Sequence, residues 1–207
     1  MPIALAVATL TANCTQCAAL ISNAHRLDAA GAFIFPQIDR EQITEAGFLN
    51  LFVAWESFLE SAFGHLMVGA ATLSGALPVR YASPPGKDVA LQMLTGTNRY
   101  FDFANHDFVR KMAGLYFQNG HPFEPHLSAI ATDLADLRTM RNASAHISTT
   151  TQRALEALAQ RIFGAPQPGV SLYTVLTRVD PRSATGNTVF AEASNKLLTT
   201  AQLIAQG

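Results

Sequence analysis

The chain has 207 residues, which suits one domain and buries a substantial core without disulfides or metal. Hydrophobic residues make up 49% and charged residues only 14%, which excludes global disorder and leaves little charge to cover a surface. The net charge of −1 excludes a broad basic field for tight nonspecific binding to duplex nucleic acid.

Residues 1–24 carry no charged side chain. No Lys or Arg precedes the apolar run, as a signal peptide requires, and Thr11, Asn13, Thr15 and Gln16 interrupt it too often for a spanning segment. Ile3, Val7, Leu10, Cys14, Cys17, Ile21 and Ala24 alternate steps of four and three, so one stripe of an amphipathic helix is expected. Cys14 and Cys17 read as small apolar members of that stripe; a lone CxxC without a second pair is weak for zinc or redox chemistry. A cytoplasmic protein that does not enter a membrane is expected.

Gly31 is expected to end this first helix, over 1–30. Asp39 followed by Gln42 reads as an N-cap with its reciprocal partner. A long helix over about 40–74 follows, with Phe48, Leu51, Phe52, Trp55, Phe58, Leu59, Ala62, Phe63 and Leu66 as its stripe. Prolines and glycines make 75–87 irregular. Short helices are expected over 88–95, 98–104 and 106–118. Pro125 opens another, reaching about 147 with Leu127, Ile130, Leu134 and Leu137 inward, and 149–163 forms the next. Residues 170–177 fit a strand or a helical turn, and the last helix covers 187–206. No repeat or long linker divides the chain, so an all-α bundle in a single domain over 1–207 is expected.

Phosphate-binding glycine loops, HExxH and nucleophile elbows are absent. His121 and His126 flank prolines without a carboxylate at ligand spacing from both, so neither a metal nor another cofactor is expected. His25, His65 and His106 read as surface or boundary residues. The stretch LRTMRNASAH (137–146) is different. The step after 127, 130, 134 and 137 falls on Arg141, which would place a guanidinium in the buried seam, where it needs an anion such as Glu56 or Glu60. Asn142 and His146 are four apart and share a helix face, so the amide can orient the imidazole.

An arginine, an asparagine and a histidine suffice in principle to cleave RNA without a metal. A 2′-hydroxyl attacks the adjacent phosphate, a histidine moves a proton, and a fixed arginine meets the charge that builds on the phosphate. Arg141 and His146 lie about 140° apart on a regular helix, so a second copy of the chain would close the site. Arg138, Arg141, Arg153 and Arg161 could add a local basic strip, set against Asp133, Asp136 and Glu156.

The pair Arg141 and His146, with Asn142 directly after the arginine, resembles the R-x4-H motif of the HEPN superfamily. Upstream, LFVAWESFLESAF (51–63) and GLYFQNGHPF (114–123) are similar to stand-alone bacterial HEPN proteins of the RiboL-PSP-HEPN type. The resemblance covers about 40–165, with the terminal helices packing on that core. It implies a homodimer with facing motif helices and a metal-independent endoribonuclease that leaves a 2′,3′-cyclic phosphate. A role as a toxin with a cognate antitoxin protein, or in phage defence, is implied as well. In that scheme Arg141 stabilises the transition state, His146 transfers the proton, Asn142 orients, and Glu56 and Glu60 position Arg141. Arg138 and Arg153 would bind RNA. A non-catalytic HEPN-like interaction or nucleotide-binding module stays open as the alternative.

Overall fold

Apolar side chains recurring every three or four positions dictate helices, and helices are what the chain forms. The computed structural model describes residues 2–145 and 148–207. Among these the helices are α1 (Pro2–Ala24), α2 (Gln37–Met67), α3 (Lys87–Thr95), α4 (His106–Tyr116), α5 (Phe123–Ala129), α6 (Ala131–Ala145), α7 (Thr149–Phe163), α8 (Leu172–Thr177) and α9 (Val189–Gln206), and no strand is present. The architecture is an all-α helical bundle. Its residues gather into two compact units. The first comprises Met1–Thr11, Ala54–Leu134 and Leu197–Gly207, and the second Ala12–Val53 and Ala135–Lys196.

The stripe on α1 forms largely as its spacing dictates. Ile3, Leu10, Cys14, Cys17 and Ala24 are buried, and Val7 and Ile21 half-buried. By length and composition α1 could also cross a membrane. Cys14 and Cys17 are free thiols, and burial pushes both above the ordinary thiol value, which disfavours the reactive thiolate.

In the first unit the core is aromatic. Phe63 of α2 stacks on Phe123 at 4.7 Å and meets Phe117 edge-on at 5.3 Å. All three rings are fully buried. The helix carrying Phe63 stops at Met67, short of the expected 74. Arg80 explains this: its Nη1 donates to the Met67 carbonyl at 2.8 Å, meeting an acceptor that another helical turn would otherwise take. The guanidinium packs over Gly69, where the backbone adopts φ +93° and an added Cβ would lie 2.9 Å from it. Arg80 itself forms an isolated antiparallel bridge with Phe117. Tyr81 N–H donates to the Tyr116 carbonyl at 2.9 Å and Gln118 N–H to the Val79 carbonyl at 3.0 Å. That pairing holds Phe117 extended, so α4 ends at Tyr116 rather than 118. The expected helix over 98–104 does not form. The Asp102 carboxylate takes the Ala104 N–H and the Asn105 side chain caps α4, so local side chains claim the backbone donors. Arg110 of α4 grips both oxygens of Glu124 on α5, at 3.0 and 2.9 Å, and Ser128 adds a hydrogen bond at 2.7 Å.

In the second unit α1 ends at Ala24, seven residues before Gly31. The Asp28 carboxylate accepts from the N–H groups of Ala30 and Ala32, at 2.8 and 2.9 Å, and folds the following chain into a turn. The Pro36 carbonyl takes the Arg40 N–H at 3.2 Å, so α2 starts at Gln37 and Asp39 lies in its first turn instead of capping it. Residues 172–177 resolve as α8. Ser171 caps that helix, and Tyr173 fixes it to the end of α1. His25 Nδ1 donates to the Ile21 carbonyl at 2.8 Å, so Nε2 accepts from the Tyr173 hydroxyl at 3.1 Å.

Truncating Phe123 to alanine removes a ring from the fully buried trio and is expected to cost about 3–5 kcal/mol in denaturant unfolding. The hydrogen bond from Arg110 holds Glu124 below its ordinary carboxylate value. A depressed carboxylate stabilises the fold above its unfolded value and loses that contribution as pH falls through the folded one. From about pH 4 downward, wild-type thermal stability should therefore drop more steeply than that of Glu124→Gln.

Candidate functional site

The residues singled out from the sequence divide between the two units. Glu56 and Glu60 lie on the α2 portion of the first unit, Glu56 half-buried and Glu60 exposed. Arg138, Arg141, Asn142 and Arg153 belong to the second unit. His146 lies outside the described residues, and so does its relation to Asn142.

The helix that carries Arg141 begins later than expected. The expected helix from Pro125 to about 147 is two helices that part at Ile130. The stripe therefore does not run in phase through 127 and 130. Within α6 the buried apolar face is Leu134, Leu137 and Met140. Arg141, seven residues after Leu134, continues that face and is half-buried. There its aliphatic stem can be covered while the guanidinium stays within reach of polar partners. Its Nη1 donates to the neighbouring Asn142 Oδ1 at 3.4 Å. Arg138 is half-buried one turn earlier, on the same side of the helix.

A buried carboxylate ties α6 to α7. Asp136 is 8% exposed, and Arg161 Nη2 lies 2.5 Å from its Oδ1. This pair fixes the two helices that flank residues 146 and 147. The start of α7 is fixed by its own side chains: Ser148 Oγ accepts from the Thr151 N–H, and Thr151 Oγ1 accepts from the Ser148 N–H, each at 3.1 Å. Beside this start, Ser148, Thr149, Gln152, Arg153 and Glu156 line an open depression of about 680 Å³. Arg153 is exposed there. The Glu156 carboxylate accepts from the Gly169 N–H at 2.7 Å and from Gln152 at 3.1 Å, and these bonds, with Arg153 nearby, hold it below the usual carboxylate range. The four arginines are thus not one free basic strip. Arg161 is committed to Asp136, and Arg153 has Glu156 beside it.

Among the described residues no three His, Cys, Asp or Glu side chains gather as a metal-binding group. His106, expected at the surface or a boundary, is instead buried at the start of α4, with its Nε2 3.7 Å from Asp107. His126 is pushed below the ordinary histidine value, first by burial and then by the neighbouring His121.

The first unit holds a second concavity, which sequence reasoning did not identify. A cleft of about 570 Å³ is lined by Leu77, Val79, Gln118, Asn119, His121 and Pro125, among others. The signal available was the polar run QNGH inside GLYFQNGHPF, flanked by aromatic residues that anchor it in the core.

Comparisons with protein-family models, with curated proteins and with solved structures find no match.

Arg161→Ala leaves the Asp136 carboxylate buried without its cation. The expected cost is about 1–3 kcal/mol by denaturant unfolding.

Proposed function

We propose that the protein is a HEPN-type endoribonuclease that cleaves RNA without a metal. The observation that carries the reading is the joined pair Arg141 and Asn142, half-buried near the end of α6, with His146 four positions beyond the asparagine. A guanidinium that is partly desolvated and held by a neighbour is suited to meet charge on a phosphate. A histidine is suited to take the 2′-hydroxyl proton or to give one to the departing 5′-oxygen. Attack of that hydroxyl on its own phosphate forms a 2′,3′-cyclic phosphate and breaks the bond to the 5′-oxygen. The working form is a homodimer, in which the second copy brings its own Arg141 and His146 to the reaction. Arg138 and Arg153 are the cations nearest in sequence for holding the flanking strand. A cytoplasmic toxin with a protein antitoxin, or a phage-defence effector, is the setting for such an activity.

The competing reading is a HEPN-like interaction or nucleotide-binding module in which Arg141 and Asn142 serve structure alone. The commitment of Arg161 to Asp136 favours it, because that cation is not available to RNA.

Purified protein incubated with total RNA in EDTA should cleave it. Arg141→Ala and His146→Ala should each lower the rate at least about 100-fold. Equal cleavage by wild type and both variants removes the assignment. So does intact RNA in every sample together with normal cell growth on induction.

A further inference from the structure

The cleft of the first unit combines apolar walls with polar groups that the fold does not use. Val79 and Tyr81 pair on one edge with Gln118 and Tyr116, around the bridge between Arg80 and Phe117. The cleft is lined by Leu77 and Val79 from the one segment, by Gln118, Asn119 and His121 from the other, and by Pro125 of α5. Gln118 and Asn119 are exposed, and their side-chain amides take part in no hydrogen bond among the described residues. Each amide offers two donors and an acceptor in one plane.

Charge narrows the choice of ligand. Glu124 also lines the cleft, but Arg110 takes both of its oxygens and Ser128 adds a third bond. The carboxylate is thus already neutralised, and the cleft suits an uncharged ligand better than a phosphate. Two amides beside aliphatic walls match a flat ring with alternating donors and acceptors on its edge. A volume of about 570 Å³ falls in the usual range for small-ligand sites and exceeds what one such ring needs.

An extended peptide is a poorer match. Arg80 is the non-hydrogen-bonded partner of Phe117, so its own N–H and carbonyl face the opposite edge, away from residues 116–118. Pro78 shares that edge and has no N–H, so a ladder added there stops almost where it begins.

We propose that this cleft binds one unpaired nucleobase, with the amides of Gln118 and Asn119 reading its hydrogen-bonding edge. The choice of a nucleobase among flat polar rings rests on the RNA-cleavage reading; the site does not involve Arg141 or His146. Sugar and phosphate stay outside. The base can belong to a strand or to a free nucleotide.

The test follows the side-chain amide NMR signals of Gln118 and Asn119 in the full-length protein. The probes are the four nucleoside monophosphates, a mixed-sequence 2′-O-methyl RNA decamer that lacks the attacking hydroxyl, and an uncharged extended hexapeptide. Gln118→Ala and Asn119→Gly are the variants. Glycine suits the left-handed backbone at Asn119, φ +55°, so this change removes the amide without strain. Both amide signals should shift with nucleotide, and each variant should weaken binding about tenfold. A response to decamer and mononucleotides identifies a base within a strand; a response to mononucleotides alone identifies a free nucleotide. Both outcomes uphold base recognition. Signals unmoved by every nucleotide probe, a response to the hexapeptide alone, or unchanged affinity in both variants overturns it. RNA cleavage without any amide response sinks this inference and leaves the nuclease. An amide response in a protein that cleaves nothing sinks the nuclease and leaves the cleft.

Discussion

A carboxylate removed from water must find a cation, and in the second unit Asp136 finds Arg161. The consequence is geometric more than energetic. Asp136 is in the middle of α6 and Arg161 near the end of α7, so the pair joins these two helices at one point. Arg138, Arg141 and Asn142 follow on α6, and the capped start of α7 follows in turn. Every candidate group for the proposed chemistry on these helices is placed relative to that contact. The same contact withdraws a cation that a purely sequence-based count offers to RNA.

The fold was legible in the sequence wherever a buried stripe dictates it. The stripes on α1 and α2 appear largely with the spacing the residues predict, because burial of regularly spaced apolar side chains outweighs local preference. Helix ends were less legible, because they are set by single hydrogen bonds. Met67 ends α2 because Arg80, thirteen residues on, reaches its carbonyl. Asp28 turns the chain before Gly31 can. No local pattern announces a contact of the first kind. The break at Ile130 has no proline or glycine beside it, and nothing in the sequence marks it. Its effect is to part Leu127 from the α6 face, while Arg141, seven residues after Leu134, keeps the phase of that face.

Low charge content shows itself in where apolar side chains remain outside. Leu5, Leu27, Ile38, Leu77, Val79 and Tyr81 are more than half exposed. Leu77, Val79 and Tyr81 alternate with the half-buried Pro78 and Arg80, and Arg80 turns back to α2. The polar groups of the adjacent cleft stand out against this background because the fold leaves them unpaired. Side-chain amides that serve no structural bond are cheap to keep at a surface, where water satisfies them, and ready to exchange that water for a ligand.

The dipeptide Asn119–Gly120 carries a chemical consequence of its own. Asparagine ages when the nitrogen of the next residue attacks its side-chain carbonyl and closes a succinimide, and a following glycine offers the least obstruction. Here the Gly120 nitrogen donates to the Phe117 carbonyl at 3.0 Å. Ring closure must first release that donor, so the turn that displays the amide also slows its conversion to aspartate.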